Sequence, residues 1–198
     1  MRRQTLTLLF AFLLSACAGD QPAITPLTLD YAPLGAIRLD VAKINFINHT
    51  PLTPEPGAAD FSAFKPSLAD AGYRWGVDRL QAVGAAGQAD MRISNASITR
   101  NKLPVPQEQG VKDWFSRPQT EQWVARMTVQ LRVHEAPGNF VGLATASVGR
   151  STTVLQNPTP AEQEAAYRRL LLGLMDDLNV KMTDSIREHL SPVLLSAP

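Results

Sequence analysis

Few residues of this 198-residue chain could carry covalent or metal chemistry. Cys17 is the only cysteine, so the chain can form neither an intramolecular disulfide nor a metal site made of several cysteines. The histidines His49, His134 and His189 are far apart and show neither the His-x-x-x-His nor the His-Glu-x-x-His spacing of zinc sites. The sequence therefore predicts no metal site.

No other combination of residues indicates a catalytic centre. There is no Gly-x-Ser-x-Gly motif, and the segment from Gly84 to Gly87 lacks the lysine and the hydroxyl residue of a phosphate-binding loop. Asp176 and Asp177 are adjacent, but successive helical residues point about 100° apart, so a solvated face is expected rather than an acid–base pair. We expect a protein that is not an enzyme and holds no cofactor.

The amino terminus follows the plan of a secretory signal. Arg2 and Arg3 precede an apolar segment from Leu6 to Leu14, which is far shorter than the roughly 20 residues of a membrane-spanning helix. The sequence Leu14-Ser15-Ala16-Cys17 then resembles the lipobox of bacterial lipoproteins, in which the cysteine is acylated and becomes the new amino terminus. The resemblance implies a cleaved signal peptide over residues 1–16. The alternative is cleavage at another small residue, which would leave Cys17 as a free thiol.

The lipoprotein resemblance also implies how the chain is held at a membrane. Cys17 would carry a diacylglyceryl group and an amide-linked acyl chain, and two or more chains give stable attachment. Ala18 follows, where the inner-membrane retention signal of enteric bacteria is typically Asp, so the periplasmic face of the outer membrane is favoured over the inner membrane. Residues 17–35 contain three prolines and show no periodicity, which predicts a lipidated tether.

The net charge excludes one class of partner. The full chain has 19 Lys plus Arg and 18 Asp plus Glu, and removal of Arg2 and Arg3 with the signal would leave 17 basic residues. Binding to the phosphates of DNA or RNA requires clustered Lys and Arg, which this near-neutral chain lacks. We therefore expect no nucleic-acid partner.

Beyond the tether, the pattern predicts one domain over residues 36–191 and a carboxyl-terminal tail over 192–198. Ala36 to Asn48 is predicted to be a strand whose apolar residues change face near Ala42 and Lys43, as at a β-bulge. Three further strands are predicted from alternating apolar residues over Ala89–Thr99, Trp123–Val133 and Phe140–Thr153. Small residues of the last strand, such as Gly142 and Ala144, would let a helix approach closely.

The first helix is predicted from Leu68 to Val83. Ser67 and Asp70 form a capping-box pattern at its start, and Gly84 follows its end. Its mainly apolar positions at helical spacing are Leu68, Ala71, Gly72, Trp75, Arg79, Leu80 and Val83.

The last helix is predicted from Pro160 to Leu190. Thr159 and Glu162 form the capping-box pattern at its start, and Pro160 occupies the first helical position. At 1.5 Å per residue this helix would be about 46 Å long. We expect its second half to extend past the sheet or to bend. Together the elements predict an α+β fold, in which an antiparallel sheet of about four strands (order β-α-β-β-β-α) carries both helices on one face.

Two features could bind a partner. Trp114 and Phe115 lie in a proline-containing loop, where they would either contact a partner or fold back as a lid over the core. Val180, Met182 and Ile186, in the second half of the last helix, would form an apolar stripe without intramolecular cover, together with the apolar tail from Pro192 to Leu195.

The order of elements after the lipobox resembles small outer-membrane lipoproteins of Gram-negative bacteria, including the lipopolysaccharide-assembly lipoprotein and the auxiliary lipoproteins of ABC-type transport systems. Only Leu14 to Cys17 matches residue by residue. The resemblance implies a non-enzymatic periplasmic protein that docks onto an envelope complex. Two alternatives remain: a lipid or amphiphile carrier with an apolar groove between sheet and helices, and an enzyme whose deep pocket encloses His134 and Glu135.

Overall fold

A computed structural model describes residues 27–48, 57–104, 118–134 and 140–195. Within these ranges the two α-helices are α1 (Leu68–Arg79) and α2 (Pro160–His189). Its strands are β1 (Ile37–Leu39), β2 (Lys43–Asn48), β3 (Leu80–Ala82), β4 (Gln88–Lys102), β5 (Gln119–His134), β6 (Phe140–Leu155) and β7 (Leu194–Leu195).

The large sheet has the strand order β2-β4-β5-β6. The α+β class and the long last helix are confirmed, but the sheet is mixed, because β2 pairs parallel to β4 while the other two pairs are antiparallel. The chain passes through α1 between β2 and β4, and a long crossover of this kind is what parallel pairing requires. The alternating residues Trp123 to Val133 of β5 point into the core, as predicted.

The small sheet has the order β3-β1-β7 and was not expected. The predicted single strand over residues 36–48 divides into β1 and β2, which belong to different sheets. At the division, the backbone N–H of Asp40 donates to the Val193 carbonyl at 2.8 Å and that of Ala42 to the Ala86 carbonyl at 2.9 Å. The change of face therefore marks the passage of the chain between sheets, and not a bulge.

The first helix ends four residues earlier than predicted. Leu80 already has an extended backbone (φ −96°, ψ 128°), because residues 80–82 pair with β1. Gly84 follows, and a Cβ there would lie 2.6 Å from the backbone of Asp40 and Val41. Pairing with β1 thus replaces the last helical turn that the sequence predicted.

Two segments predicted to lie outside the domain are part of it. In the predicted tether, Leu29 and Tyr31 are buried, and the Tyr31 N–H donates to Asp78 Oδ2 at 3.1 Å. In the predicted tail, Leu194 and Leu195 form β7 and pair antiparallel with β1. The described part of the domain therefore extends from residue 27 to residue 195.

Helix α2 lies along β6 and does not project beyond the sheet. Strands β5 and β6 are 16 residues long, about 50 Å each, and so match the 30-residue helix at about 45 Å. At its end, the Cβ that Gly142 lacks would lie 2.7 Å from the His189 carbonyl oxygen. The prediction that small residues on β6 admit a close helix is confirmed.

The same helix covers the outer edge of β6, the last strand of the large sheet. Ser185 Oγ accepts from the Thr145 N–H at 3.0 Å, and Lys181 Nζ donates to the Ser147 carbonyl at 3.3 Å. One turn earlier, Asp177 accepts two hydrogen bonds from Arg150. Residues 177, 181 and 185 recur every four positions, so one polar ridge of α2 blocks this edge against pairing with another strand.

The space between the helices and the large sheet is filled. Trp75, Trp123 and Tyr167 are almost completely buried there, among leucine and methionine side chains of α2. Two of these side chains form hydrogen bonds through their polar atoms: Trp75 Nε1 donates to Asn179 Oδ1 at 3.0 Å, and Tyr167 Oη donates to the Pro66 carbonyl at 2.6 Å. Among the described residues, these side chains therefore occupy the place between the layers where the carrier's apolar groove was expected.

Candidate functional site

Most of the predicted site residues lie outside the described ranges. These are the lipobox residues Leu14, Ser15 and Ala16, the anchor Cys17, and the loop residues Trp114 and Phe115. Lipidation of Cys17 and the partner contact of the loop therefore stay predictions.

Met182 and Ile186 are described, and the expectation of an uncovered stripe is wrong for both. Each is fully buried in the core, because α2 lies along the sheet over its whole length. Val180, the third helix residue of the predicted stripe, is exposed as expected, with 58% of its surface accessible. A protein partner cannot reach Met182 without displacing the helix, whereas Ile186 lies at the wall of the cavity described below.

The titratable residues considered for catalysis or metal binding do not converge. His134 Nε2 lies 3.9 Å from Asp90 Oδ2, and His189 Nε2 lies 3.9 Å from Glu188 Oε2. Asp177 is paired with Arg150, whose hydrogen bonds lower the pKa of the Asp177 carboxyl group. Within the described ranges, no three His, Cys, Asp or Glu side chains are grouped to hold a metal ion. Neither described helix has the length and apolarity needed to span a bilayer.

The structure instead presents a cavity at the small sheet, with a volume of about 450 Å³. Five parts of the chain contribute: the end of the predicted tether, strand β1, the carboxyl-terminal ends of α1 and α2, and β7. Its lining residues are Leu34, Gly35, Ala36, Ile37, Arg38, Arg79, Thr183, Ile186, Arg187, Leu194 and Leu195.

Arg79 is the unusual residue of this cavity, because it is charged and only 6% exposed. Its Nη1 donates to the Leu34 carbonyl at 2.7 Å, while its Nε–H has no hydrogen-bond partner among the described residues. The neighbouring carboxylate, Asp78, is bound instead by Arg74 Nε at 2.9 Å and by the Tyr31 N–H. Burial, followed by repulsion from Arg187, lowers the pKa of the Arg79 guanidinium.

A second lining residue also has an unsatisfied polar atom. The Thr183 hydroxyl on α2 is buried and makes no hydrogen bond to any described residue. Buried polar groups without partners are rare, because each costs the free energy of desolvation without a bond in return. Of the three such side-chain atoms in the described chain, two belong to residues that line this cavity, Arg79 and Thr183.

The charged residues that line the cavity are all basic. The lining includes the arginines Arg38, Arg79 and Arg187 and, within the described residues, no carboxylate. Arg187 lies 3.6 Å from Asp184 in an exposed pair, and such pairs contribute little. Leu34 and Leu195 add apolar surface that is 54% and 40% exposed. The cavity therefore offers guanidinium groups beside apolar surface, which suits an anionic group attached to an apolar one.

Sequence reasoning missed this site for a specific reason. Its apolar wall comes from Leu34 to Ile37 and from Leu194 to Leu195, most of which were assigned to the tether and the tail. One signal was present: Arg79 occupies a position of α1 at which the helical spacing predicts an apolar residue. A charge on the buried face of a helix is the feature that could have directed attention here.

Comparisons with known proteins give only distant likenesses. No family model and no curated protein matches the sequence. Among solved structures, the chain is similar to a minor lipoprotein from Acinetobacter baumannii (12% identity, TM-score 0.37, covering 80% of this chain and 99% of that one). It is also similar to rare lipoprotein B from Shewanella oneidensis (14% identity, TM-score 0.32, covering 73% of this chain and 89% of that one). A third similar structure is a protein from Helicobacter pylori described as a putative neuraminyllactose-binding hemagglutinin homologue (8% identity, TM-score 0.39, covering 77% of this chain and 89% of that one).

The first two of these three structures are lipoproteins of Gram-negative bacteria, the class that the lipobox resemblance names. With TM-scores no higher than 0.39, the likenesses carry no argument about function. The functional argument therefore rests on the residues of this chain.

Proposed function

We propose that this protein is a lipoprotein anchored at the periplasmic face of the outer membrane, where it acts as a non-catalytic accessory or assembly component of an envelope complex for transport or outer-membrane biogenesis. The lipobox Leu14 to Cys17 supports the anchor, and Ala18 supports the choice of membrane. The partner is an envelope protein complex.

The short connection between anchor and domain is the observation that carries the proposal. Leu29 and Tyr31 are buried, so the folded domain begins well before the predicted end of the tether. Nine residues lie between Cys17 and the first described residue, Leu27. Even fully extended, they span at most about 35 Å. A domain held this close to a bilayer is well placed to contact the periplasmic parts of membrane complexes.

Trp114 and Phe115 are the residues proposed to contact the partner. Aromatic side chains are enriched at the energetic centres of protein interfaces. The test is extraction of the native protein in mild detergent, isolation by a carboxyl-terminal tag, and identification of bound proteins by mass spectrometry. We expect W114A/F115A to lose stoichiometric envelope partners while its thermal midpoint stays near that of the parent chain.

Two controls make this experiment decisive. Leu172→Ser removes an exposed apolar side chain from the described surface of α2, outside the predicted stripe, and should leave co-purification unchanged. Cys17→Ser should release the protein from the membrane fraction. A large fall in the thermal midpoint of W114A/F115A would identify the pair as a lid over the core. Partners retained at full stoichiometry by that variant would contradict the docking role.

A second candidate function is the binding of a lipid or another amphiphile. The observation that favours it is the cavity of about 450 Å³ beside the small sheet. This volume lies within the roughly 300–1,000 Å³ typical of small-molecule sites. Native mass spectrometry after gentle extraction tests it, and recovery of the protein without any bound amphiphile would count against it.

A further inference from the structure

We infer that the cavity beside the small sheet binds a single-chain anionic amphiphile. Its anionic group would be held by Arg79 and Arg187, and its chain would lie against Leu34, Ile37 and Leu195. The inference rests on the second candidate function above and specifies its ligand by charge and by number of chains.

The anionic group follows from the state of Arg79. A guanidinium removed from water is strongly disfavoured unless a counter-charge and hydrogen bonds compensate for the lost hydration. Here the described residues supply one carbonyl acceptor, from Leu34, and no carboxylate bonded to the guanidinium. A second guanidinium, that of Arg187, makes the local potential more positive still. An anion at this position would supply what the protein does not.

The guanidinium groups also favour a particular anion geometry. Arginine presents its N–H donors in a planar fork that matches the two oxygens of a carboxylate or phosphate. Thr183, whose hydroxyl has no partner in the described chain, stands on the same stretch of α2 as Arg187 and lines the same cavity. Carboxylate and phosphate oxygens share this chemistry, and the probes below separate a free anion from an anionic headgroup.

The apolar chain follows from the rest of the lining. Six of the eleven lining residues are apolar side chains, namely Leu34, Ala36, Ile37, Ile186, Leu194 and Leu195. Leu34 and Leu195 are large and substantially exposed, so covering them with an acyl chain would remove apolar surface from water. The volume of about 450 Å³ is in the lower part of the range for small-molecule sites, which favours one chain over a lipid with several.

The experiment is calorimetric titration of the mature full chain carrying Cys17→Ser, which can be handled without detergent. The probes are decanoate, 1-decanol, acetate and inorganic phosphate. We expect saturable binding of decanoate, and binding of the other three to be weaker by about ten-fold or more, since each lacks either the charge or the chain. Arg79→Met should weaken decanoate binding by about ten-fold or more, as expected for loss of a charge-assisted hydrogen bond.

Two further variants keep the test decisive. Arg169→Met removes the same charge from an exposed side chain of α2 that does not line the cavity, so decanoate should bind it as it binds the parent chain. Arg187→Gln changes an exposed residue at the cavity, so it is expected to fold and yet to bind decanoate several-fold more weakly. Equal weakening by Arg169→Met and Arg187→Gln would show a non-specific charge effect and overturn the assignment.

The probes separate failure of the inference from failure of amphiphile binding. Binding of 1-decanol as tight as that of decanoate would overturn anion recognition and leave the carrier function standing. Acetate or phosphate binding as tightly as decanoate would reveal a simple anion site and overturn the role of the chain. No saturable binding of any probe would overturn both the inference and the carrier function, while the docking role would still be judged by co-purification.

Discussion

Replacement of Met182 by alanine tests whether the second half of the last helix is packed against the sheet or forms an uncovered docking stripe. If this half were an uncovered docking stripe, the substitution would cost little stability and would impair partner binding. In the structure Met182 is fully buried, whereas Val180, two residues earlier on the same helix, is 58% exposed. Val180→Ala is therefore the matched control.

The magnitude follows from the burial of the side chain. Methionine-to-alanine changes in well-packed cores cost about 2–5 kcal/mol, from lost apolar transfer and from the cavity that remains. We expect about 2–3 kcal/mol for Met182→Ala, because the site lies near the end of α2, where partial collapse is easier. In a domain of this size, that corresponds to a fall in Tm of about 5–10 °C. Val180→Ala should stay within about 0.5 kcal/mol of the parent chain.

The assay is urea and thermal unfolding of the Cys17→Ser chain with each substitution, followed by circular dichroism. Equal slopes of the urea transitions would show that the midpoints report stability. If Met182→Ala unfolded within about 0.5 kcal/mol of the parent chain, the packing of α2 along β6 described above would be refuted. If the same variant also lost envelope partners, the docking stripe would be restored.

Three further predictions concern packing and pH. Gly142→Ala should destabilise the fold by about 1–3 kcal/mol in urea titrations, because its Cβ would meet the His189 carbonyl oxygen at 2.7 Å. Gly149→Ala, whose nearest contact would be at 3.6 Å, should not destabilise it. Equal effects of the two substitutions would contradict the close approach of the helix. Burial raises the pKa of Tyr167 from 10.0 to about 12. The stability contributed by the protonated phenol is therefore present below about pH 10 and is lost as the pH rises toward 12. In alkaline titrations over that range, the stability of Tyr167→Phe should fall less steeply than that of the parent chain. Hydrogen bonds from Arg150 lower the pKa of the Asp177 carboxyl group in the folded protein. The stability that Asp177 adds is therefore present above the pKa of the unfolded carboxyl group and is lost as the pH falls through the pKa of the folded one. An acid-unfolding profile of Asp177→Asn as steep as that of the parent chain would exclude this contribution.

The buried arginine connects stability with the inferred binding site. Buried ionisable groups with perturbed pKa values cluster at the functional sites of proteins. Arg79 fits that description, since its side chain is buried, only partly hydrogen-bonded among the described residues, and placed at a cavity with two more arginines. A helix position that is apolar by spacing and charged by residue type is thus informative even before a structure is known.

The sequence by itself determined the features that depend on neighbouring residues. The capping boxes at Ser67 and Thr159 were predicted and are present, because the side chain and backbone groups that form each are only three residues apart. The alternation in β5 was likewise sufficient to identify its buried face, since period two distinguishes the two sides of a strand. The four-residue lipobox motif, which predicts the anchor, is equally local.

Only the tertiary structure decided where the domain ends and where a ligand could bind. Strand β1 pairs with β7 through Leu39 and Leu194, and no local pattern specifies a pairing over such a sequence separation. That pairing brings the predicted tether and the predicted tail into the domain and builds the cavity around Arg79. Periodicity likewise predicts the apolar stripe that contains Met182. Whether the sheet or a partner covers this stripe depends on the lengths of β5 and β6, which the sequence pattern underestimated. Local interactions select the elements, whereas contacts between distant segments decide which surfaces are buried and which remain open to bind.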